Sequence, residues 1–439
     1  MNKMLDKVKV IVVVVILIAI ATVGVVAYEM TNDGNNKTYD INAALEVYGN
    51  ANGDYTINSD DQNIIKQIIS GELSFSDYPL ADANYDGSVT QTDVDLVSKI
   101  INRDNCTVYH VNTCSTGDYV ASTAWPIKSA IATGAANMLL FLTEAGTKNM
   151  IHGITYSVSS PPDSTLFPTF STMTSLGSSS TSMSVDAAAD TIAKYDVTAL
   201  ISDKTASTIK NESEFENIGV DVIRIAPAIV DADEACSQLL LIGFLFQTQT
   251  QCMKICEWQT NLQKYINSEL EGTEKVTVIT SNGSTSKGAW ISGGNSDYLD
   301  VMKAAGGIYA LDDKMLTDYS SGAYFGEGDT WLYNYTFDYI VSIRTNGWYS
   351  GTVDIGEKYN SSLEYLTHTE AYEEGNAYVI VGDAPIPIRI AYTASVLYPD
   401  IFSQEWADGI NQEFFEKFYD VDIDFTGLFF VISESMVSS

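Results

Sequence analysis

The stretch EACSQLLLIGFLFQTQTQCMKICEWQTNLQKYINSEL, residues 234–270, decides how the chain is organised. It contains no proline and one glycine, so little in it interrupts a helix. Asp231 and Asp233 stand at its start, where side-chain oxygens cap free N–H groups, and Gly272 follows its end, where a left-handed residue is favoured. The pattern predicts a helical connector over residues 233–270.

The composition of this connector divides it into two helices. An apolar run, LLLIGFLF, is followed by the polar QTQTQ and then by the mixed CMKICEWQTNLQKYI. We expect a short apolar helix, a break near Gln247–Gln251, and a second helix that forms a spine between two lobes. Such a spine limits how far the lobes open, and a ligand site is expected in the cleft beside it.

Short β-rich runs alternate with helical runs on both sides of the connector. Residues 123–232 contain NMIHGITY, VTALIS and VDVIRIAP between helical patterns, and residues 271–439 contain KVTVITSN, FDYIVSIRT and AYVIVGD in the same way. Strand–helix alternation favours parallel sheets covered by helices. The predicted fold class is α/β, with a first Rossmann-like lobe over 123–232 and a second over 271–439.

The chain has 439 residues, with 23 basic and 57 acidic side chains and a net charge of −34. This charge disfavours nucleic-acid binding, because phosphate recognition needs a cationic surface. It suits an acidic, solvated surface or a protein that holds cations. GxSxG, Walker and HExxH motifs are absent from the sequence, and its three histidines are not clustered, so it offers no recognisable enzyme centre or zinc site.

An apolar segment at residues 8–27, VKVIVVVVILIAIATVGVVA, is long enough to cross a bilayer. Lys3, Lys7 and Lys9 lie at or before its start, which favours a cytoplasmic N-terminus. We predict a transmembrane signal anchor over residues 1–28, with a cleaved signal peptide as the alternative, and a polar linker over 29–40. The bulk of the chain is then extracytoplasmic, on the cell membrane, and its several N-x-[ST] triplets agree with export.

The five cysteines form an odd set. Cys106 and Cys114 flank a short segment and are spaced to close a small disulfide loop in an oxidising compartment. Cys252 and Cys256 lie four residues apart on the predicted connector, where we expect core packing rather than a metal site.

The most specific motif is DANYDGSVTQTD, residues 82–93. Its spacing is that of a calcium loop, in which oxygen ligands come from fixed positions and a glycine at position 6, here Gly87, makes the turn. The ligand positions are held by Asp82, Asn84, Asp86, Ser88 (through its backbone carbonyl) and Asp93. The helical pattern VDLVSKII follows the loop.

The same pattern occurs at residues 50–61, NANGDYTINSDD, and is also followed by a helix. Tyr55 replaces the turn glycine and position 1 is Asn rather than Asp, so we expect weaker Ca²⁺ binding here than at the second loop. The ligand positions are held by Asn50, Asn52, Asp54, Thr56 and Asp61.

The paired loops, each followed by a helix, resemble a dockerin domain over residues 41–104. The resemblance implies a small all-α calcium module with two Ca²⁺ sites that docks on a cohesin-bearing protein. A purely structural calcium spacer is the alternative. Residues 105–122 are expected to be a linker to the first lobe.

Seven stretches follow one another in the two predicted lobes: WPIKSAIATGAANMLLFLTEAG, NMIHGITY, SVDAAADTIAKYDVTALIS, GVDVIRIAP, GAWISGGNSDYLDVMKAAGGIYA, NAYVIVGD and SVLYPDIF. In their order they resemble the solute-binding proteins of ABC importers for iron-siderophores, haem and cobalamin. The resemblance covers residues 118–422 and implies two α/β lobes joined by one long helix. The loop 157–184 and the aromatic segment 312–334 depart from the pattern.

Candidate ligand contacts lie in loops that follow the predicted strands, where open parallel sheets bind ligands, and in the aromatic segment. Aromatic faces stack on flat or apolar ligands, and guanidinium groups pair with anionic oxygens. Each aromatic residue, taken singly, has core packing as its alternative. The candidates are Tyr156, Lys204, Trp290 in a Gly/Ser loop, Tyr324, Trp331, Arg344, Trp348 and Arg389.

The sequence therefore predicts a non-enzymatic, membrane-anchored binding protein that captures a metal chelate between two lobes for an ABC permease. The alternative is a cell-surface interaction or scaffold protein assembled through dockerin–cohesin binding. A surface enzyme carried by a dockerin rests on association alone.

Overall fold

A computed structural model describes residues 39–179, 182–209 and 211–437. The anchor predicted over residues 1–28, and all but the last two residues of the linker predicted over 29–40, lie outside these ranges. Within them, no helix combines the length and the apolar character needed to cross a membrane.

The calcium module contains two α-helices, α1 (Ser59–Ser70) and α2 (Gln91–Asn102), each of which directly follows one of the predicted loops. Both begin with a capping box, in which Asn58 or Thr90 and the last Asp of the loop exchange hydrogen bonds with backbone N–H groups. The helices pack on a small apolar core that includes Ile65 and Val97. The predicted all-α module is confirmed in this respect.

The segment predicted as a linker, residues 105–122, instead forms most of an antiparallel hairpin. Strand β1 (Cys106–Asn112) pairs along its whole length with β2 (Tyr119–Trp125). Val108, His110 and Asn112 are buried, which is the two-residue period of a strand. The hydropathy pattern conceals this period, because two of the three inward side chains are polar.

The disulfide suggested between Cys106 and Cys114 is wrong. Cys106 begins β1 and Cys114 lies beyond its end, so the extended strand holds the two residues roughly 20 Å apart. A disulfide joins Cα atoms that are about 6 Å apart. All five cysteines are free thiols, and the expectation that Cys252 and Cys256 are buried is correct.

The first lobe is built on a four-stranded parallel sheet in the order β4–β3–β5–β6. The central strands β3 and β5 are fully buried over Ala130–Ala132 and 199–202, because helices cover the sheet. The elements are β3 (Ala130–Ala132), α3 (Ala136–Glu144), β4 (Ile151–Ile154), α4 (Val185–Tyr195), β5 (Ala199–Asp203), α5 (Glu212–Asn217) and β6 (Asp221–Ile225).

The connector consists of two helices, α6 (Ala232–Leu245) and α7 (Gln249–Glu269), as its composition predicts. The break falls at residues 246–248, at the start of the predicted range, and Gln247 there has a left-handed φ of 58°. The helices approach so closely that a Cβ on Gly243 would lie 2.6 Å from the Cys252 sulfur. Helix α7 then contacts both lobes and forms the predicted spine, since Gln251 donates to the Glu144 carbonyl and Gln263 to the Ala304 carbonyl.

The second lobe is built on a seven-stranded sheet in the order β10–β8–β7–β11–β12–β13, with β9 also beside β7. Strands β7, β9, β11 and β12 are parallel, as predicted, whereas β8, β10 and β13 are antiparallel additions. The elements are β7 (Thr277–Thr285), β8 (Gly288–Ser292), α8 (Asp297–Ala304), β9 (Ile308–Tyr309), α9 (Asp313–Asp318), β10 (Gly322–Phe325), β11 (Tyr339–Arg344), α10 (Ile355–Leu363), α11 (Glu370–Glu373), β12 (Ala377–Val381), α12 (Ile386–Leu397), α13 (Gln404–Phe418), β13 (Val431–Ser433) and α14 (Glu434–Val437).

The predicted Gly/Ser loop around Trp290 is in fact strand β8. Its glycines serve close packing rather than loop flexibility. A Cβ on Gly288 would lie 2.4 Å from the Phe325 carbonyl oxygen, so only glycine lets β10 pass at this distance. Short 3₁₀ turns complete the described chain at Phe75–Asp77, Pro79–Ala81, Phe170–Thr172, Ala206–Thr208, Trp331–Asn334, Trp348–Ser350 and Glu364–Leu366.

Candidate functional site

Arg389 lies where the two lobes meet. It is in the first turn of α12, and its side chain is 2% exposed. Its Nη2 donates to Oδ1 of Asn137 on α3 of the first lobe (2.9 Å), and its Nε donates to the Ala384 carbonyl (2.7 Å). Its Nη1 lies 3.5 Å from Oδ2 of Asp297, the first residue of α8. A guanidinium group with all these partners holds the lobes together rather than presenting free donors to a ligand.

A second polar contact across the lobes joins Tyr419 and Glu144. The Tyr419 hydroxyl donates to Glu144 Oε1 (3.2 Å) and to the Leu140 carbonyl (3.3 Å). Burial raises the pKa of Glu144 to about 7, although the Tyr419 hydrogen bond and the charge of Arg389 both act to lower it. Glu144 and Arg389 line a small, mostly apolar cavity of about 30 Å³ between the lobes.

One end of the groove between the lobes is wide and polar. Here a cavity of about 610 Å³, open to solvent, lies between the loops after β5 and β6, the spine α7, and helix α8 of the second lobe. Its charged lining consists of Lys204, Lys303, Asp231, Glu234 and Asp300. The size of this cavity is that of a small-molecule site, but its lining is more polar than is usual for one. Lys204 is the sequence-predicted residue in it.

Arg344 lies in another cavity, of about 320 Å³, at the carboxyl end of β11. Its Nη1 donates to the Asn282 carbonyl (2.8 Å), and Lys358 Nζ, in the same cavity, donates to the Thr345 carbonyl (3.0 Å). Burial, and then the nearby charge of Arg344, lower the pKa of Lys358. Asp354 and Glu357 also line this cavity, which balances its charge. In the described residues neither cation has a carboxylate within 4 Å, so each can still donate to an anionic oxygen.

Trp348 and Tyr156 support these surfaces from within. Trp348 is 1% exposed and its Nε1 donates to the Arg344 carbonyl (2.8 Å), so its ring lies in the core and has no face for a ligand. The Tyr156 hydroxyl donates to the Met173 carbonyl and thereby fixes the loop that follows β4. The contacts of both side chains are therefore those of structural residues, which is the alternative stated for each aromatic candidate.

The described part of the loop at residues 157–184 comes near the opposite lobe at Asp163. Phe167 and Phe170 are buried in the core cluster that contains residues of both lobes. The pKa of Asp383 is raised to about 6, mainly by burial, and the negative charge of Asp163 in this loop raises it further. Asp383 follows β12 and accepts a hydrogen bond from the Asn346 backbone N–H (3.1 Å). Asp163 of the loop therefore lies near the carboxyl ends of β11 and β12.

Trp290, Tyr324 and Trp331 form a separate aromatic cluster on the edge strands of the second lobe. Trp290 and Tyr324 face each other across β8 and β10, with ring centroids 4.7 Å apart. Trp331 donates from Nε1 to the Tyr324 carbonyl (3.1 Å). None of the three lines a cavity described above. The eight predicted contacts thus fall in several places, and three of them, Lys204, Arg344 and Arg389, line the cavities described above.

Sequence reasoning missed Asn137, Glu144 and Lys303. Asn137 follows β3 at the start of α3, so the rule that ligands meet the carboxyl ends of strands was sufficient to find it. Nothing in the sequence around Glu144 marks it as a site residue, because its hydrogen-bond partner, Tyr419, is 275 positions away in the chain. Lys303 lies at the end of α8 and reaches the cavity only through the docking of the second lobe on α7.

The second calcium loop has the geometry of a cation site. Asp82 accepts from the N–H groups of Asp86 (3.1 Å) and Gly87 (2.7 Å), and Asp93 accepts from those of Asn84 (3.1 Å) and Thr90 (2.7 Å). Gly87 has φ 91°, as the turn position requires. Asp82 and Asp93 are 3% and 0% exposed, with no basic side chain within 4 Å in the described residues. Buried carboxylates without a cation fit a bound Ca²⁺.

The first calcium loop differs from the second at Asn50 and Tyr55, the two residues expected to weaken its Ca²⁺ binding. Asn50 donates from Nδ2 to the carbonyls of Leu45 (2.8 Å) and Asp54 (2.6 Å), and its buried Oδ1 has no hydrogen-bond partner. Gly53, one of the residues before Tyr55, supplies a left-handed φ of 68°. Asp61 accepts from the N–H groups of Asn52 and Asn58, and burial raises its pKa to about 6.

Carboxylate, thiolate and imidazole groups alone do not form a cluster of three suited to a metal anywhere in the described ranges. Either loop would therefore depend on amide and backbone carbonyl oxygens for the rest of a calcium shell, as the twelve-residue spacing provides. The orphaned Oδ1 of Asn50 and the buried pair Asp82 and Asp93 fit that requirement.

Residues 48–102 match the family model described as the Dockerin type I domain. The predicted dockerin resemblance is therefore confirmed for the calcium module. No curated protein matches the chain by sequence.

The two-lobed part is similar in structure to periplasmic binding proteins. One is the TroA-like periplasmic binding protein FepB from Veillonella parvula, with a TM-score of 0.55 and 15% identity over 74% of this chain and 99% of that one. Another, a periplasmic solute binding protein from V. parvula DSM 2008, has a TM-score of 0.54 and 16% identity over 72% and 94%. An ABC transporter solute binding protein from Sulfurospirillum deleyianum DSM 6946 has a TM-score of 0.51 and 12% identity over 72% and 95%. The predicted resemblance to this group of proteins is confirmed in fold.

Proposed function

We propose that this chain is a solute-binding protein that captures an anionic metal chelate, of the iron-siderophore, haem or cobalamin type, between its lobes for an ABC permease. It does no chemistry on the ligand. The observation that carries the proposal is the placement of Lys204 and Arg344, which line cavities at the carboxyl ends of β5 and β11. In the described residues neither Lys204 nor Arg344 has a carboxylate within 4 Å, so both can donate to an anionic ligand, although carboxylates also line both cavities.

The shape of the molecule supports the same proposal. A single spine helix, α7, spans both lobes, and Arg389 and Tyr419 tie the lobes directly. A ligand then enters a largely preformed groove, which lowers the conformational cost of binding. The fold neighbours named as solute-binding proteins support the assignment by analogy of fold.

The dockerin domain adds an attachment function. We propose that its two loops bind Ca²⁺, the second more tightly, and that the loaded module docks on a cohesin-bearing protein. The residues proposed to hold the metal are those at the ligand positions of each loop, from Asn50 to Asp61 and from Asp82 to Asp93. The bulk of the chain is proposed to lie outside the cell, held to the membrane by the segment at residues 1–28.

Direct titration tests the ligand. The full chain, kept in a mild detergent, is titrated with ferric hydroxamate and catecholate siderophores, haem and cobalamin, while tryptophan fluorescence and visible absorbance are followed. Saturable one-to-one binding of one class, weakened by Arg344→Ala or Lys204→Ala, supports the proposal. A folded chain that binds none of these ligands excludes it.

The competing function is a cell-surface interaction or scaffold protein. The dockerin match over residues 48–102 favours it, because that module needs no solute to act. Calcium-dependent capture of a purified cohesin, together with failure of every chelate titration, would identify the chain as an interaction protein instead.

A further inference from the structure

The second calcium loop contacts the β1–β2 hairpin through three tyrosines. Tyr85, at position 4 of that loop, has its ring centroid 4.8 Å from Tyr48 and 6.0 Å from Tyr109 of β1. The Tyr48 N–H also donates to the Tyr109 carbonyl (2.8 Å). Tyr85 has a left-handed φ of 54°, a conformation that costs a non-glycine residue roughly 1 kcal/mol. The equivalent residue of the first loop is Gly53, which has a similar left-handed φ of 68°. Tyr85 therefore differs from its counterpart in having ring contacts with Tyr48 and Tyr109.

The hairpin is in turn built into the first lobe. Asn112, at the end of β1, is fully buried and bonds to the edge strand β6 in both directions. Its Nδ2 donates to the Val222 carbonyl (2.8 Å), and its Oδ1 accepts from the Arg224 N–H (3.0 Å). The amide therefore takes the place of a backbone partner on β6. In the middle of β1, His110 is buried and hydrogen-bonded to the Thr123 hydroxyl of β2 (2.8 Å).

From β6 the contacts continue to the loop that carries Lys204. The Arg224 side chain is 2% exposed, and its Nη1 donates to the carbonyls of Asp203 and Thr205, both at 3.1 Å. Ser115, from the turn of the hairpin, donates its N–H to the Lys204 carbonyl (2.7 Å) and accepts from the Ala206 N–H (3.1 Å). The backbone on both sides of Lys204 is thus held by the hairpin and by its neighbour on β6.

We propose that calcium binding in the second loop is coupled through this hairpin to the solute groove at Lys204. The inference rests on the proposed calcium and solute functions. Calcium fixes the loop that positions Tyr85, Tyr85 stabilises β1, and β1 stabilises residues 203–206. Because binding free energies are reciprocal, a solute that contacts Lys204 then tightens calcium binding by the same factor, which is roughly 5-fold or more for typical couplings.

Hydrogen exchange of the full chain, measured in calcium and in EGTA, tests the coupling. We expect calcium to slow amide exchange in three peptides: residues 82–102, the β1 peptide 106–112, and the loop peptide 203–209. Slowing in 82–102 alone would overturn the coupling while leaving calcium binding intact. Unchanged exchange in all three peptides would overturn both the calcium sites and the coupling.

Tyr85→Gly isolates the ring contacts, since the first loop shows that glycine is compatible with this backbone position. In this variant calcium should still slow exchange in 82–102, but should no longer slow it in 106–112 and 203–209. Tyr109→Ala, which removes the ring from the hairpin side, should do the same. Tyr333→Ala, an equally exposed tyrosine of the second lobe, is the control and should behave as the wild type. If Tyr85→Gly and Tyr109→Ala both keep calcium-dependent slowing in 203–209, the proposed route is wrong.

Discussion

The Arg389 guanidinium donates to the Asn137 side chain across 2.9 Å, although the two residues are 252 positions apart in the chain. This hydrogen bond joins the first turn of α12 in the second lobe to the first turn of α3 in the first lobe. It supplements the spine α7, which alone would fix the lobes at one side only.

Asn137→Ala should loosen the lobes, because it removes the acceptor of a buried charged donor. We expect a loss of about 2 kcal/mol in the free energy of unfolding and a wider distribution of inter-lobe distances by single-molecule energy transfer. Asn149→Ala, on an exposed turn of the same lobe, serves as the control. A distance distribution identical to that of the wild type would show that α7 alone sets the opening.

Glu144 predicts a particular dependence of stability on pH. Its pKa is about 7 in the folded protein, above the usual value of 4.5, so the folded state binds more protons than the unfolded state between these pH values. Its contribution to stability is therefore fully present below about pH 4.5 and is lost as the pH rises through 7. Glu144→Gln keeps an acceptor for Tyr419 and should raise stability at pH 8 by about 2 kcal/mol relative to the wild type.

The measurement for Glu144 is denaturant unfolding at pH 5 and pH 8. The difference between variant and wild type should be clearly larger at pH 8. An equal difference at the two pH values would mean that Glu144 titrates normally in the folded chain.

The two calcium loops should respond unequally to loss of their last carboxylate. Asp93→Ala removes the proposed bidentate ligand of the stronger loop, and we expect calcium affinity there to fall at least about tenfold. Asp61→Ala should mainly affect a weaker binding step. Calorimetric titration of the full chain resolves the two steps, and circular dichroism in EGTA checks that each variant is folded. Equal losses at both steps would contradict the predicted order of the sites.

Solute binding should distinguish the cavities from the aromatic edge of the second lobe. Lys204→Ala removes a cation from the groove and should weaken binding of an anionic chelate about tenfold, or roughly 1.4 kcal/mol. Trp290→Ala should leave the affinity unchanged, because Trp290 packs on Tyr324 away from every cavity described here. Lys275→Ala is the matched control for charge. If Trp290→Ala weakened chelate binding more than Lys204→Ala, the solute would bind at the β8–β10 edge instead.

The strands and the connector were predictable because their signals are local. The apolar runs that became β5, β6, β11 and β12 are buried on both faces, and the QTQTQ interruption lies at the break between α6 and α7. The calcium loops were predictable for the same reason, since a twelve-residue spacing contains the whole site.

The hairpin and most of the groove were not predictable from such signals. His110 and Asn112 are polar, and they are buried only because Thr123, Val222 and Arg224 supply their hydrogen bonds. Trp348 and Trp290 illustrate the reverse difficulty, since an aromatic residue after a strand looks the same in sequence whether it faces a ligand or the core. Tertiary contacts decide these cases, and a single sequence does not contain them.

The buried imidazole of His110, in β1 of the hairpin, makes the stability of the folded chain depend on pH. Burial lowers its pKa to about 4, so it stays uncharged when folded and takes up a proton on unfolding below about pH 6.5. The stability it contributes is complete above that pH and is lost as the medium becomes more acidic. Acidification should therefore destabilise the hairpin that lies between the calcium module and the first lobe, so the firmness of this junction should depend on the acidity of the surroundings.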